Sequence, residues 1–180
     1  MQTLASDVTL IFSILSIVAQ VISGFLLLAL IFRKTWGKNI ILIVGKRAII
    51  FIFLIALFAT VGSLLYSDVV GYEPCKLCWF QRIFMYPQVI LLPLALWRKE
   101  TSIVAYSFAL SLAGGLIAFY HYLLQRGIVE TAPCSAVGYG ANCSDIFVMS
   151  YGYITIPLMA LSAFILMTLI ATIRFVYNRS

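Results

Sequence analysis

Five apolar runs, separated by short polar segments, constrain the fold of this 180-residue chain more than any other feature. Each is long enough to cross about 30 Å of hydrocarbon, because an α-helix rises about 1.5 Å per residue. Four runs contain no Asp, Glu, Lys or Arg, and the third contains one arginine. The predicted spans cover residues 8–32, 48–67, 79–97, 101–125 and 146–173. The sequence therefore predicts an all-α fold, an integral membrane helical bundle.

The composition supports a membrane protein and excludes a soluble one. Apolar residues make up 63% of the chain, charged residues 10%, and the mean hydropathy is +1.08. A soluble domain carries about 25% charged residues. The net charge of +6 does not indicate nucleic-acid binding, because the basic residues cluster between the apolar runs.

The distribution of basic residues predicts the orientation. The 33–47 linker, the 98–100 turn and the C-terminus together carry nine Lys and Arg, whereas the opposite side carries three. Because cytoplasmic loops are enriched in Lys and Arg, both cysteine-bearing loops are predicted to be extracytoplasmic, where disulfides persist. The first run lacks a basic start and is followed by bases, so we expect a retained helix with its N-terminus outside, not a signal peptide.

A Cys-x-x-Cys pair, Cys75 and Cys78, lies in the short polar segment between the second and third spans. Such a pair can form a small, readily reduced disulfide ring. A helical pattern restarts at about Trp79, so the helix dipole favours the Cys78 thiolate, and Arg82 one turn later acts in the same direction. The motif therefore indicates an activated dithiol.

Each of these residues also has a simpler interpretation. A Cys-x-x-Cys pair is half of a common zinc site. Trp79 and Phe80 fit the aromatic belt of a membrane surface, and Arg82 alone would fit a side chain reaching the lipid headgroups.

The loop 126–145 contains the second cysteine pair, Cys134 and Cys143. Four cysteines allow three pairings, and the two local ones each fall within one loop. Two dithiols on one oxidising face suggest a relay in which one pair oxidises the other. The alternative is one four-cysteine zinc site, although the eight residues between Cys134 and Cys143 exceed the usual ligand spacing.

Arg82 and His121 are predicted to lie at the same depth of neighbouring helices, each about one turn from the outer surface. Ionisable side chains within a span are costly and usually functional. Beside Cys78, the two could bind the carbonyl oxygens of a lipid-soluble electron acceptor. The alternative for His121 is an interfacial histidine without a role.

The motifs in combination are more specific than any one alone: Cys75-Lys-Leu-Cys78 with Arg82, His121 thirteen residues before Cys134, and Ile-Pro-Leu-Met-Ala at 156–160. Over about residues 47–175, this combination resembles the DsbB/BdbC family of quinone-dependent disulfide-formation proteins. The resemblance implies a four-helix core around a quinone pocket, with ubiquinone or menaquinone as cofactor and a bacterial cytoplasmic membrane as location.

The resemblance also implies roles for individual residues. Cys78 would be the thiolate that contacts the quinone ring, Arg82 and His121 would bind the quinone, and Cys134 would be attacked by a DsbA-like, thioredoxin-fold partner. Cys75 and Cys143 complete the two catalytic pairs.

Two features depart from the family pattern. Residues 1–46 form an additional transmembrane helix and a basic cytoplasmic linker before the predicted redox domain, 47–180. Cys134 and Cys143 are also separated by fewer residues than the corresponding pair in some relatives. Rival functions are a membrane reductase of the vitamin K epoxide reductase type and a zinc-clamped membrane scaffold.

Overall fold

The structure is a computed structural model that describes residues 2–129 and 142–179. These residues form six α-helices and no β-strand, which confirms the predicted all-α class. The helices are α1 (Gln2–Ile31), α2 (Gly37–Lys46), α3 (Ala48–Leu64), α4 (Lys76–Arg98), α5 (Ile103–Gln125) and α6 (Ile156–Arg179). A π-helical turn, Leu65–Val69, extends α3 towards the Cys-x-x-Cys segment.

Among the described residues, four helical segments are long and apolar enough to cross a membrane: Ala5–Ile31, Ala48–Val69, Ile103–Gln125 and Ile156–Arg179. The predicted third span corresponds to α4, which has the same length as α5, 23 residues. α4 is less apolar because it contains Gln81, Arg82 and Gln88. Since α4 packs against both α3 and α5, we still expect α4 to cross the membrane, which makes five spans in total.

The polar side chains of α4 are satisfied inside the bundle. Gln88 is buried, and its amide donates hydrogen bonds to Phe84 O at 2.9 Å and to Ser111 Oγ at 3.3 Å. Its side-chain oxygen accepts a hydrogen bond from Ser107 Oγ of α5. Because buried polar groups are tolerated when they are paired, these bonds explain how α4 sits between apolar neighbours.

α6 is the centre of the bundle and packs against α1, α2, α3 and α5. Gly114 of α5 is the point of closest approach, because a Cβ there would overlap the buried Phe164 ring. The close contact between α5 and α6 therefore requires a glycine at residue 114.

The segment predicted as a linker is largely helical. Gly37, Ile41 and Gly45 recur every four residues in α2, are buried, and face α1 and α6. A Cβ at Gly37 would overlap the Ala29 carbonyl oxygen, so the glycine permits this contact between α1 and α2. In the sequence, the neighbouring charges obscured this small-residue pattern.

The last predicted span begins later than the apolar run suggested. Residues 146–155 precede α6, and Tyr151 and Gly152 have positive φ angles of 54° and 76°. A turn closed by bonds between Ser150 and Ile154 therefore interrupts the run. Pro157 consequently lies in the first turn of α6, where a missing N–H has no cost.

Candidate redox site

The Cys-x-x-Cys pair lies at the N-terminus of α4. Cys75 is the extended residue before the helix (ψ 171°), and Cys78 lies in the first turn. The helix therefore begins three residues earlier than the restart predicted at Trp79. Cys75 Sγ lies 3.2 Å from Cys78 Sγ and donates a hydrogen bond to it. Because Cys75 is buried, with 4% of its surface exposed, this contact forms in a largely water-free environment.

The two thiols have opposite acidities, and both precede residue 79, where the predicted third span begins. The hydrogen bond to Cys78 and, to a lesser extent, burial raise the pKa of Cys75 from 9.0 to about 12. The same bond lowers the pKa of Cys78, against the opposing effect of burial. The backbone of Cys75 and the charge of Arg82 lower it further. Cys78 is therefore the more acidic sulfur of the pair, and the neighbouring thiol is the largest cause of this difference.

We expect Cys75→Ala to raise the pKa of Cys78, because the substitution removes the thiol that donates to its sulfur. Cys75→Ser is the matched control, since its hydroxyl remains a donor. The measurement is the rate of Cys78 alkylation against pH, with the modified residue identified by mass spectrometry. The inflection should move to higher pH in the alanine variant and much less in the serine variant. The same inflection pH in both variants would show that the Cys75 donor does not lower the pKa of Cys78.

His121 of α5 lies against the dithiol and is 1% exposed. Its Nε2 is 3.0 Å from the backbone oxygen of Cys143 and 3.6 Å from Cys75 Sγ. Because a carbonyl oxygen only accepts, Nε2 carries the proton, and Nδ1 accepts the Gln81 amide N–H at 3.0 Å. The imidazole thus links the Cys-x-x-Cys segment to the loop that carries Cys143.

Arg82 lies on the same helix, one turn beyond Cys78, and is held by α3. Its Nε donates to Ser63 Oγ at 2.9 Å, and Nη2 donates to the Ser63 backbone oxygen at 3.0 Å. The guanidinium also lies 5.2 Å from the centre of the Trp79 ring and 5.9 Å from that of Tyr86. These contacts hold a permanent positive charge beside the dithiol. None of them is made to an acidic side chain.

The second cysteine pair is only partly described. Cys134 lies outside the described residues, so its position relative to the other sulfurs stays a prediction. Cys143 is 2% exposed and clusters with Cys75 and Leu124. The structure thus places Cys143 beside the Cys-x-x-Cys pair.

A metal ion is the other chemistry that these residues could support. Among the described side chains, Cys75, Cys78 and His121 have ligand atoms within 4.8 Å of one another. Two thiolates and an imidazole suit zinc. This donor set differs from the four-cysteine set considered above, because a histidine is a member.

An apolar cavity of about 540 Å³ opens beside the dithiol. Ligand sites commonly have volumes of about 300–1,000 Å³. At one end it is lined by Cys75, Cys78, Arg82 and His121, and at the other by apolar side chains of α1, α2, α3 and α6. Such a cavity suits a ligand with a polar head and a long apolar tail.

Three residues that position the site were not predicted from the sequence: Gln81, Ser63 and Tyr86. Gln81 is buried one turn after Cys78, and a polar residue at that position in a membrane helix was a detectable signal. Tyr86 donates to Ser63 Oγ at 3.2 Å, on the same hydroxyl that accepts from Arg82. The role of Ser63 depends on the packing of α3 against α4, for which the sequence has no local pattern.

Residues 45–174 match the family model described as disulfide bond formation protein DsbB. The chain belongs to the DsbB family. It is 39% identical over 126 residues to the disulfide bond formation protein C of Bacillus subtilis, covering 67% of this chain and 89% of that protein. It is 36% identical over 122 residues to a probable disulfide formation protein of Metapseudomonas resinovorans, covering 67% and 83% respectively. No solved structure matches the chain significantly.

Membership of the DsbB family and the apolar helices together define the class of the protein. It is a multi-pass membrane oxidoreductase of disulfide bond formation. The match begins at residue 45, after α1 has ended, so α1 and most of α2 are additional to the family region of this DsbB-family chain.

Proposed function

We propose that this protein reoxidises a DsbA-like, thioredoxin-fold protein outside the cytoplasm and transfers the electrons to membrane quinone. The observation that carries the proposal is the Cys75–Cys78 dithiol at the polar end of the apolar cavity. A thiolate there can react with an acceptor dissolved in the membrane without leaving the bundle.

The first step of the proposed relay takes place at the second cysteine pair. A thiolate of the partner attacks Cys134 of a Cys134–Cys143 disulfide, and its second thiolate then releases the partner as a disulfide. Two electrons and two protons have then moved to Cys134 and Cys143. We assign the attack to Cys134 from the family resemblance.

The second step transfers the same two electrons to Cys75–Cys78. Reduced Cys143 attacks the disulfide of the inner pair, the Cys134–Cys143 disulfide re-forms, and a dithiol remains at Cys75 and Cys78. The burial of Cys143 beside Cys75 supports this route. The His121 imidazole, bonded to the Cys143 backbone and close to Cys75 Sγ, positions the two segments.

The fit of a quinone rests on the cavity's two ends. A bound quinone would supply a two-electron, two-proton acceptor. Arg82 has a fixed charge at the polar end, and planar N–H donors of this kind favour negative charge on an oxygen. His121 remains a proposed quinone-binding residue, although in this structure its nitrogens are directed to Gln81 and Cys143.

We also propose the orientation predicted from the basic residues: cysteine loops outside the bacterial cytoplasmic membrane, N-terminus outside and C-terminus inside. A bond from Arg174 to the Gly45 carbonyl, at 3.0 Å, places the basic linker and the C-terminal end of α6 together, as this orientation requires. Protection of a C-terminal cleavable tag in intact cells tests it. The division into a redox domain, 47–180, and an accessory segment, 1–46, is part of the same proposal.

The function is tested with the purified full-length chain, a reduced thioredoxin-fold dithiol protein and quinone, without oxygen. We expect the partner's disulfide and reduced quinone to appear in equal amounts, because each disulfide releases two electrons. Oxidation of partner thiols without loss of quinone would contradict the proposal. Stoichiometric zinc in the purified protein would favour the scaffold, since the Cys75, Cys78 and His121 donors would then be occupied.

A further inference from the structure

Helix α1 lies outside the family-matched region, yet it forms a wall of the cavity at the dithiol. Its apolar cavity-lining residues are Phe12, Leu15, Val18, Ala19, Ile22 and Leu26. Leu15, Val18 and Ile22 follow the three- and four-residue spacing of one helix face. α1 and α3 line the cavity from two sides and both also contact α6. The cavity would therefore be open on one side without α1.

Hydrogen bonds between side chains fix α1 on α6. Ser16 Oγ donates to Ser162 Oγ at 3.2 Å, and the Gln20 amide donates to the same oxygen at 3.1 Å. Tyr153 OH also donates to Gln20 Oε1 at 3.4 Å. Polar side-chain bonds of this kind specify contacts between membrane helices, where apolar surface alone does not distinguish protein from lipid. α1 is thus positioned by specific bonds.

Phe12 connects α1 to the polar end of the cavity. A Cβ at Gly62 of α3 would lie 2.5 Å from the Phe12 ring, so the ring rests directly on the α3 backbone. The next residue, Ser63, holds Arg82 through both its hydroxyl and its carbonyl oxygen. α1 therefore contacts the segment that positions the cavity's positive charge.

We propose that α1 completes the acceptor site and holds the apolar tail of a long-chain isoprenoid quinone. This inference rests on the proposed function and assigns the tail-binding surface of the same site. From Phe12 to Leu26, α1 spans about 21 Å along its axis at about 1.5 Å per residue, which is a length suited to a long hydrocarbon chain. The continuity of this apolar surface with Cys78 and Arg82 identifies the occupant as the tail of the electron acceptor.

Two valines on α1 provide a matched pair of substitutions. Val18 lines the cavity and is 46% exposed, whereas Val21, three residues later, does not line it and is 67% exposed. Tryptophan at residue 18 would fill tail space, whereas tryptophan at residue 21 would point away from it. We therefore compare Val18→Trp with Val21→Trp in the full-length protein.

The binding measurement uses a long-tail quinone and a quinone without a tail. We expect Val18→Trp to weaken binding of the long-tail compound by about tenfold more than binding of the tail-less one, since overfilled sites must rearrange. Val21→Trp should leave the ratio of the two dissociation constants unchanged. If the two variants gave the same ratio of dissociation constants, the proposal that α1 holds the quinone tail would be overturned.

A second measurement applies to the unmodified chain and does not depend on the folding of a variant. A quinone with a photoreactive group at its tail end is illuminated in the protein, and labelled residues are mapped by mass spectrometry. We expect labels on the cavity-lining face of α1, within residues 12–26. Labels confined to the surrounding lipid or to other helices would overturn the inference. Failure of the wild type to bind or reduce either quinone would instead contradict the proposed function itself.

Discussion

Replacing Cys78 by serine is expected to reduce quinone-coupled oxidation of a dithiol protein by at least about a thousandfold, an effect typical of losing a reacting nucleophile. Cys78 is the more acidic sulfur of the inner pair and lines the cavity. A serine hydroxyl at this position is neither ionised at neutral pH nor able to form a disulfide with Cys75. The measurement is the steady-state rate with a reduced thioredoxin-fold partner and quinone.

The control for Cys78→Ser is a single exchange between the partner and a preformed Cys134–Cys143 disulfide. This step involves neither Cys78 nor the cavity in the proposed relay, so its rate should remain close to that of the wild type. A variant that retained steady turnover would show that electrons leave by another route. Loss of the single exchange as well would indicate that the substitution had disturbed the outer loop.

Arg82→Met is expected to slow reoxidation of the inner dithiol by quinone by about a hundredfold, the scale of losing one preorganised donor at a developing negative charge. The substitution removes the positive charge that Ser63 holds at the polar end of the cavity. It should also raise the pKa of Cys78, because Arg82 contributes to lowering it. That increase should be smaller than in Cys75→Ala, where the largest contribution is lost.

Two further variants separate the effect of losing a positive charge from the effect of losing the planar N–H donors. Arg126→Met removes a charge from an exposed arginine whose Nη1 donates to the Gly152 oxygen, outside the cavity lining, so reoxidation should be unaffected. Arg82→Lys keeps the charge but loses the planar pair of donors, so its effect should lie between those of wild type and methionine. Stopped-flow reoxidation at several quinone concentrations measures all three. Equal rates in Arg82→Met and Arg126→Met would reduce Arg82 to an interfacial anchor.

The sequence predicted the features of the site that are local. Cys75 and Cys78 lie within one helical turn, so their contact follows from spacing alone. The similar depth of Arg82 and His121 followed from helix length and the short turn at residues 98–100. The structure places both beside the cavity, although each is held by a partner that the sequence did not identify.

The remaining features depend on how helices pack. The role of α1 could not be inferred, because the gap between α1 and α3 exists only once both lie on α6. Hydropathy placed residues 146–155 in a span because no charge interrupts them, whereas a turn at Tyr151 and Gly152 excludes them from α6. The burial of Gly37 and Gly45 in α2 was likewise masked by the neighbouring lysines.

The most direct test of the account examines whether quinone oxidises the Cys75–Cys78 pair. The protein would carry Cys134→Ser and Cys143→Ser, so that only the inner pair remains; the Cys143 backbone oxygen that accepts from His121 is preserved. The reduced variant is mixed with quinone without oxygen, and cysteine pairing is determined by mass spectrometry while quinone absorbance is recorded. The account predicts one Cys75–Cys78 disulfide for each quinone reduced. Thiols that stay reduced at Cys75 and Cys78 beside excess quinone would contradict it.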